Sequence, residues 1–420
     1  MEFTRKELMH GVELIYAKSD KFKTNLISLD FILPLTEKTT GADSLLPAVL
    51  RRGSEKYPDM KAIEESLAML YGAGILAACK KRSEYLCVGL TGTCIDDRFA
   101  PGGEKLLEPL MEMMGELLFH PLLEKGCFRE DYVTQERNNL LDDIYARIND
   151  KRLWADYRLI KELCAGEPYG VFREEENTVG ITSEQLYARY EEILRTAPVK
   201  LIYCGSAEES RVEAAARKLL RELPREKLLT LPPILRHTPR KTVHTVTERM
   251  EVEQGKLAMG FAVASEDETA MRLADMIFGC SSNSKLFLHV REELSLCYYA
   301  STQYQHNKGL IMLSSGIAPK DYDRAFEEIM KQLTLLQQGS VEPWEYISAE
   351  SILRNAFRTA EDSPGKLGNY LLSEAVYGTY RTLSERIRRM EEAKPEEIVA
   401  AASTVKLDTV YFLSNEEVSE

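Results

Sequence analysis

Residues 281–304 read SSNSKLFLHVREELSLCYYASTQY. The small residues that lead into this stretch, GCSSNS at 279–284, make a turn of the kind that precedes and caps a helix. A short helix is expected next, with Leu286, Phe287 and Val290 on one face and Lys285, Arg291, Glu292 and Glu293 on the rest. From Leu296 the pattern changes to an alternation of aromatic and small residues, Tyr298, Ala300, Thr302 and Tyr304, which predicts a strand. Arg291 closes the helix and Tyr298 opens the strand, so both side chains can project into one space. Taken alone, they are a surface arginine and a half-buried strand tyrosine.

Outward from this stretch, one order of elements runs twice along the chain. Residues 12–15 and 26–33 predict strands, 42–50 and 60–70 helices, and 75–79 with 85–92 a hairpin. A long helical region follows, with 127–158 as one stretch and a helix at 181–194 capped by Thr182 or Ser183. Strand 199–204 and a charged helix at 208–223 close the first half. Residues 224–245 are rich in Pro, Arg, Lys and Thr, and Pro232-Pro233 favours an extended linker. Beyond it come strand 256–263, helix 268–277, the opening stretch, strand 309–315, helices 321–338, 343–358 and 383–390, and a last strand at 409–413. The expected domains are therefore 1–223 and 246–420 around a linker at 224–245. The fold class is α+β, each domain a mostly antiparallel sheet packed on helices.

Bulk properties narrow the function. A chain of 420 residues exceeds one ordinary core, and 44% hydrophobic with 29% charged residues describes a soluble globular protein. A net charge of -13 repels phosphates, which argues against nucleic acid and anionic membranes. Eight cysteines without a C-x-x-C pair read as reduced thiols. Residues 1–6 lack an apolar signal core, and no run approaches the roughly 20 apolar residues of a membrane helix. The expectation is a cytoplasmic protein.

The opening stretch resembles the second-half signature of the M16 peptidases, the family of pitrilysin, insulinase and mitochondrial processing peptidase. There a small-residue loop precedes L-F-x-x-[IV]-R-E-x-x-x-L-x-Y, met here by Leu286, Phe287, Val290, Arg291, Glu292, Leu296 and Tyr298. The resemblance implies two homologous domains facing each other across a chamber. It also implies that Arg291 and Tyr298 hold a substrate carbonyl beside a zinc ion. In the family that zinc sits on an inverted H-x-x-E-H helix, with two His ligands, a Glu general base and a downstream Glu as third ligand. The helix precedes a Gly-[Thr/Ser]-x-x-[Tyr/Phe]-Pro landmark, met here by Gly53, Ser54, Tyr57 and Pro58. Counting back, the first His position is Ser44, the base position Pro47 and the second His position Ala48; Asp143 falls where the third ligand belongs. Serine is a feeble ligand, proline has no proton acceptor in its side chain, and alanine has no donor atom. None of the six histidines stands three or four residues from another on a helix, as a paired site needs. An assembly of His10, His120 and Asp143 is the one remote alternative. No G-x-S-x-G elbow or phosphate loop supplies another chemistry.

The resemblance thus implies a subfamily B-like member without the zinc motif, with no metal, no cofactor and no autonomous peptidase activity. Such chains pair with a homologue that carries the zinc. The implied function is a non-catalytic subunit of a heterodimeric zinc peptidase that binds and orients a peptide. The group has also been linked to 5-aminopentanol modification of elongation factor P. The alternative is a stand-alone peptide-binding or scaffold homodimer.

Overall fold

Every second residue of the strand Thr24–Pro34 enters one core: Ile27, Leu29, Phe31 and Leu33 are all buried. The computed structural model, which describes residues 1–415, builds a six-stranded sheet around that strand. Its strands are β1 (Thr4–Met9), β2 (Val12–Lys18), β3 (Thr24–Pro34), β4 (Gly74–Arg82), β5 (Tyr85–Ile95) and β8 (Val199–Gly205), in the order β1-β2-β8-β3-β5-β4. A small hairpin, β6 (Leu123–Glu124) with β7 (Cys127–Phe128), stands apart. Only β2 and β8 pair in parallel. Helices α1 (Thr40–Leu50), α3 (Leu107–Phe119), α6 (Ser183–Thr196) and α7 (Glu209–Leu219) share the buried face, contributing Leu45, Leu110, Ile193 and Val212 among others. Helices α2 (Met60–Met69) and α4 (Glu130–Ala146) complete this side.

The expected single helical stretch at 127–158 is broken. Asp150 accepts from the backbone of Arg152 and Leu153 at 2.9 and 3.0 Å, and this N-cap starts a new helix, α5 (Lys151–Leu163). Thr182 does cap α6, in a reciprocal capping box with Gln185.

The second sheet has five strands: β9 (His244–Arg249), β10 (Gly255–Val263), β11 (Cys297–Gln305), β12 (Leu310–Ile317) and β13 (Val405–Ser414), in the order β11-β12-β10-β13-β9. Here too a single pair, β13 with β9, is parallel. Leaving β1 aside, both sheets follow one rule. The first strand lies beside the last, then come the second, the fourth and the third. The double element order is a true repeat of topology, and β9, which begins in the last two residues of the expected linker, is the counterpart of β2. Helices α8 (Glu268–Asp275), α9 (Tyr322–Gln337), α10 (Pro343–Ala360), α12 (Leu383–Glu391) and α13 (Pro395–Ala402) belong with this sheet, while α11 (Pro364–Tyr377) does not.

Compactness cuts across chain order. One unit comprises Met1–Tyr145, Val171–Pro232 and Arg358–Leu383; the other comprises Ala146–Gly170, Pro233–Phe357 and the chain from Ser384. The expected boundaries at 223 and 246 follow the chain, whereas the units exchange one helix each. Helix α5 packs Ala155 and Leu159 against Ala258, Tyr411 and Leu413 of the five-stranded sheet. Helix α11 lies on β8 and β3, its Gly368 so near Leu26 that a Cβ would stand 2.9 Å from that side chain. Residues 224–243 between the two units hold no regular element.

Candidate functional site

Three of the positions singled out in the sequence stand on α1. Asp43, just before them, is fully buried and makes a forked ion pair with Arg189, Nε to Oδ1 at 2.7 Å and Nη2 to Oδ2 at 3.2 Å. Ser44 is half-buried and accepts a hydrogen bond from the Cys79 thiol on β4 at 3.6 Å. Pro47 is buried among Phe31, Leu118 and Tyr190, and Ala48 is half-buried one position on. Proline inside the helix also removes the N–H that would return to the Asp43 carbonyl. Asp143 is exposed on α4. The same helix sends Glu136 to Arg52 at 3.2 Å, a contact from α4 to the end of α1. His10 is exposed, and His120 pairs with Glu222 at 3.0 Å. None of these residues falls in a group of three donors close enough to share an ion among the described residues.

The second place is the junction quoted at the outset. Ser284 Oγ accepts from Phe287 N–H at 3.3 Å, the capping contact expected of this turn. The helix it starts, Leu286–Glu293, is wound as a π-helix, a form that concentrates at functional sites. Leu296 N–H donates to Val290 O at 2.9 Å, closing the connection so that the helix end and the strand start are neighbours. Arg291 leans over Phe287, Cζ 4.6 Å from the ring centre, and pairs with Glu292 at 3.3 Å. The register of β11 on β12 shifts between Cys297 and Tyr299, so Tyr298 is the extra residue of a β-bulge. A bulge re-aims a side chain, and Tyr298 is 66% exposed where its neighbours alternate into the core. Gly279 explains the small-residue turn: a Cβ there would stand 2.5 Å from Thr302 and 2.8 Å from Leu286.

A third cluster was not legible in the sequence, because its members come from four distant segments. His237 is buried, with Nδ1 2.6 Å from Glu167 and Nε2 3.3 Å from Asp408. Lys308, fully buried, pairs with Glu167 at 2.9 Å, and Cys164 lies alongside. Burial alone would lower the imidazole, but Glu167 and Asp408 raise it overall, so the two carboxylates favour the charged ring. Cys164, Glu167 and His237 are close enough to share an ion. The acids are engaged by cations, however, and the cluster reads as an ion-pair network.

Residues 180–353 match the family described as Peptidase M16 inactive domain. Over 415 residues, 97% of this chain and 96% of the relative, the chain is 29% identical to the "Probable inactive metalloprotease YmfF" of Bacillus subtilis (strain 168). The chain is thus similar to M16 peptidase homologues that are described as inactive. It is also 20% identical, over 70% of its length and 69% of the relative's, to an "Uncharacterized zinc protease" of Rickettsia felis. Among solved structures, a conserved protein from Enterococcus faecalis V583 shares the fold with a TM-score of 0.87 at 24% identity, each chain covered completely. The "peptidase M16 inactive domain" from Pseudomonas fluorescens does so at 0.82 and 17%, again with complete coverage of both chains. The two-domain M16 fold is therefore the fold of this chain.

The M16 zinc does not fit the residues present on α1. At its positions stand a hydroxyl already bonded to a thiol, a buried proline and a methyl group. The side chains that the resemblance assigns to substrate, Arg291 and Tyr298, are both present and solvent-accessible, set at the end of a helix and on a bulge.

Proposed function

We propose that this M16 homologue is the non-catalytic subunit of a heterodimeric zinc peptidase, holding an extended peptide for a partner that carries the metal. One observation carries the reading: the zinc-motif positions of α1 hold Ser44, Pro47 and Ala48, while the bulge after Arg291's helix presents Tyr298 to solvent. Their N–H and O–H groups would donate to the carbonyl of the bond to be cleaved, an electrostatic role that needs no metal on this chain. A peptide strand can add at β4, an edge strand whose Leu76 is 68% exposed. Among the described residues no helix is long and apolar enough to cross a membrane, and the cysteines are free, which suits a cytoplasmic setting. By resemblance, that setting includes modification of elongation factor P.

The test is co-expression with a zinc-motif M16 chain from the same genome. A stoichiometric complex with about one zinc per pair and peptidase activity is expected, and Arg291→Ala should lower kcat/KM about 100-fold without loss of assembly. Unchanged turnover in that variant would sink the substrate role. A homodimer that ignores the zinc chain would favour the scaffold alternative.

A further inference from the structure

We propose that the face of the five-stranded sheet next to Tyr298 binds a carboxylate of the held peptide between Lys256 and Arg152. The inference deepens the function just proposed and rests on its peptide-binding reading.

Strand register brings the parts together. Lys256 on β10 and Tyr299 on β11 both stand opposite Gly316 of the strand between them. Gly316 has no side chain, and a Cβ there would lie 2.6 Å from Tyr299 Cε1, so the phenol ring reclines across β12 towards β10. Lys256 Nζ stands 5.9 Å from that ring's centre. Arg152, in the first turn of α5, places its guanidinium 4.4 Å from the same ring. Two cations therefore flank one tyrosine in a chain whose net charge is -13.

Neither cation is in a direct ion pair, although Asp150 acts on Lys256 and Asp156 on Arg152 from further off. Arg152 donates to Ser301 Oγ at 3.0 Å, and Lys256 reaches only Gln254 Oε1 at 3.5 Å; neither forms an ion pair among the described residues. Burial lowers the Lys256 ammonium and Arg152 adds to this, against the pull of Asp150. The Tyr299 hydroxyl is shielded from solvent, with Ser314 as its neighbour. The nearest acids are committed elsewhere. Asp150 caps α5, and Asp156 turns to Ser314 with its carboxyl raised by burial. A partly desolvated ammonium without an ion-pair partner costs free energy. A carboxylate accepting from Nζ and Oη, with the guanidinium alongside, would supply that partner. Tyr299 directly follows Tyr298, so a peptide held at the bulge brings such a group within reach. That group is an Asp or Glu side chain or the peptide's own C-terminus.

The experiment measures binding of the full chain to fluorescent peptides by anisotropy. The peptides share one neutral sequence and differ by a single Glu, by Gln in its place, or by a free or amidated C-terminus. The acidic form is expected to bind about tenfold more tightly than its neutral twin. The preference should vanish in Lys256→Met and shrink in Arg152→Gln, which alters only an exposed side chain. Dependence on Glu against Gln identifies a side-chain carboxylate as the occupant; dependence on amidation identifies the terminus. Peptides that bind without acid preference, or a preference that survives both variants, overturn this inference and leave the peptide-binding reading standing. No binding of any peptide overturns both.

Discussion

Strands β4 and β11 are the same strand of one plan built twice, each the third of its sheet and each at an edge. Their edges differ. Along β4, Leu76 and Ala77 are exposed, and nothing comparable to a cap lies beside them among the described residues. On β11, Tyr304 N–H donates sideways to the buried Asp275 Oδ2 at 3.1 Å, and the Gly279 turn fits against Thr302. The helices before these strands diverge in parallel. Helix α1 carries one buried acid, Asp43, whereas α8 carries two, Glu268 and Asp275. An open edge invites unwanted pairing, so its retention in one copy and closure in the other points to use. On the proposed reading, one unit offers a backbone edge to a peptide, and the other, its edge closed, offers the side chains of Arg291 and Tyr298.

The sharpest way to break this comparison is to unbalance each unit's buried ion pair. Arg189→Ala would strand Asp43 beside α1, and Lys285→Ala would strand Glu345, whose pair at 3.1 Å is only 6% and 4% exposed. Each should cost about 3–5 kcal/mol in urea unfolding, because a buried carboxylate loses its cationic partner. Replacing both partners of a pair with apolar residues should recover most of that loss. A cost below about 1 kcal/mol in either single variant would show that the pair does not anchor its helix.

The two acids of α8 give opposite signs with pH. Burial would raise Glu268, but Arg272, Arg386 and His306 outweigh it and hold the carboxyl down at about 2. Its contribution is present above its ordinary value of 4.5 and is lost as pH falls towards 2. Asp275, fully buried, is pushed up to about 6 from 3.8, with Thr302 and Tyr304 N–H only partly opposing. Its contribution is complete below the ordinary value and is lost as pH rises through 6, because ionisation then occurs without solvent. Asp275→Asn should therefore gain on the native chain by up to about 3 kcal/mol between pH 4 and pH 7. Glu268→Gln should instead close its deficit as pH falls below 4.5. A flat difference for Asp275→Asn would mean that the β11 cap is not a buried carboxyl of this kind.

Much of the architecture was legible. The apolar runs on β3 and β10, the alternation on β5 and the change of period at Leu296 locate both sheets, and the landmark at residues 53–58 points to α1 as the helix that corresponds to the zinc helix of the M16 resemblance. What escaped was set by tertiary packing or overlooked local signals. Helix α11 carried readable ends, with Ser363 as cap, Pro364 in the first turn and Gly378 left-handed at φ 69°, yet its long-range role follows only from packing on β8. Strand β9 alternates between half-buried and exposed residues, so no apolar run sets its first two residues off from the linker. The bulge at Tyr298 and the Lys256–Gly316–Tyr299 row depend on register between strands, which no local pattern records.

The smallest expected effect tests the edges themselves. Leu76→Lys on β4 and Gln303→Lys on β11 replace exposed residues, so each should change stability by less than about 0.5 kcal/mol. Their effects on peptide binding should differ. A lysine on an open edge opposes strand addition, so Leu76→Lys should weaken binding about threefold to tenfold. Gln303 lies on a strand whose outer side is already taken by Asp275 and the Gly279 turn, so its replacement should leave binding unchanged. Equal losses would mean that both edges admit a strand and that the closure of β11 is no barrier. Equal indifference would mean that the peptide is held by side chains alone, those of Arg291 and Tyr298 with the Lys256 and Arg152 cations beyond them.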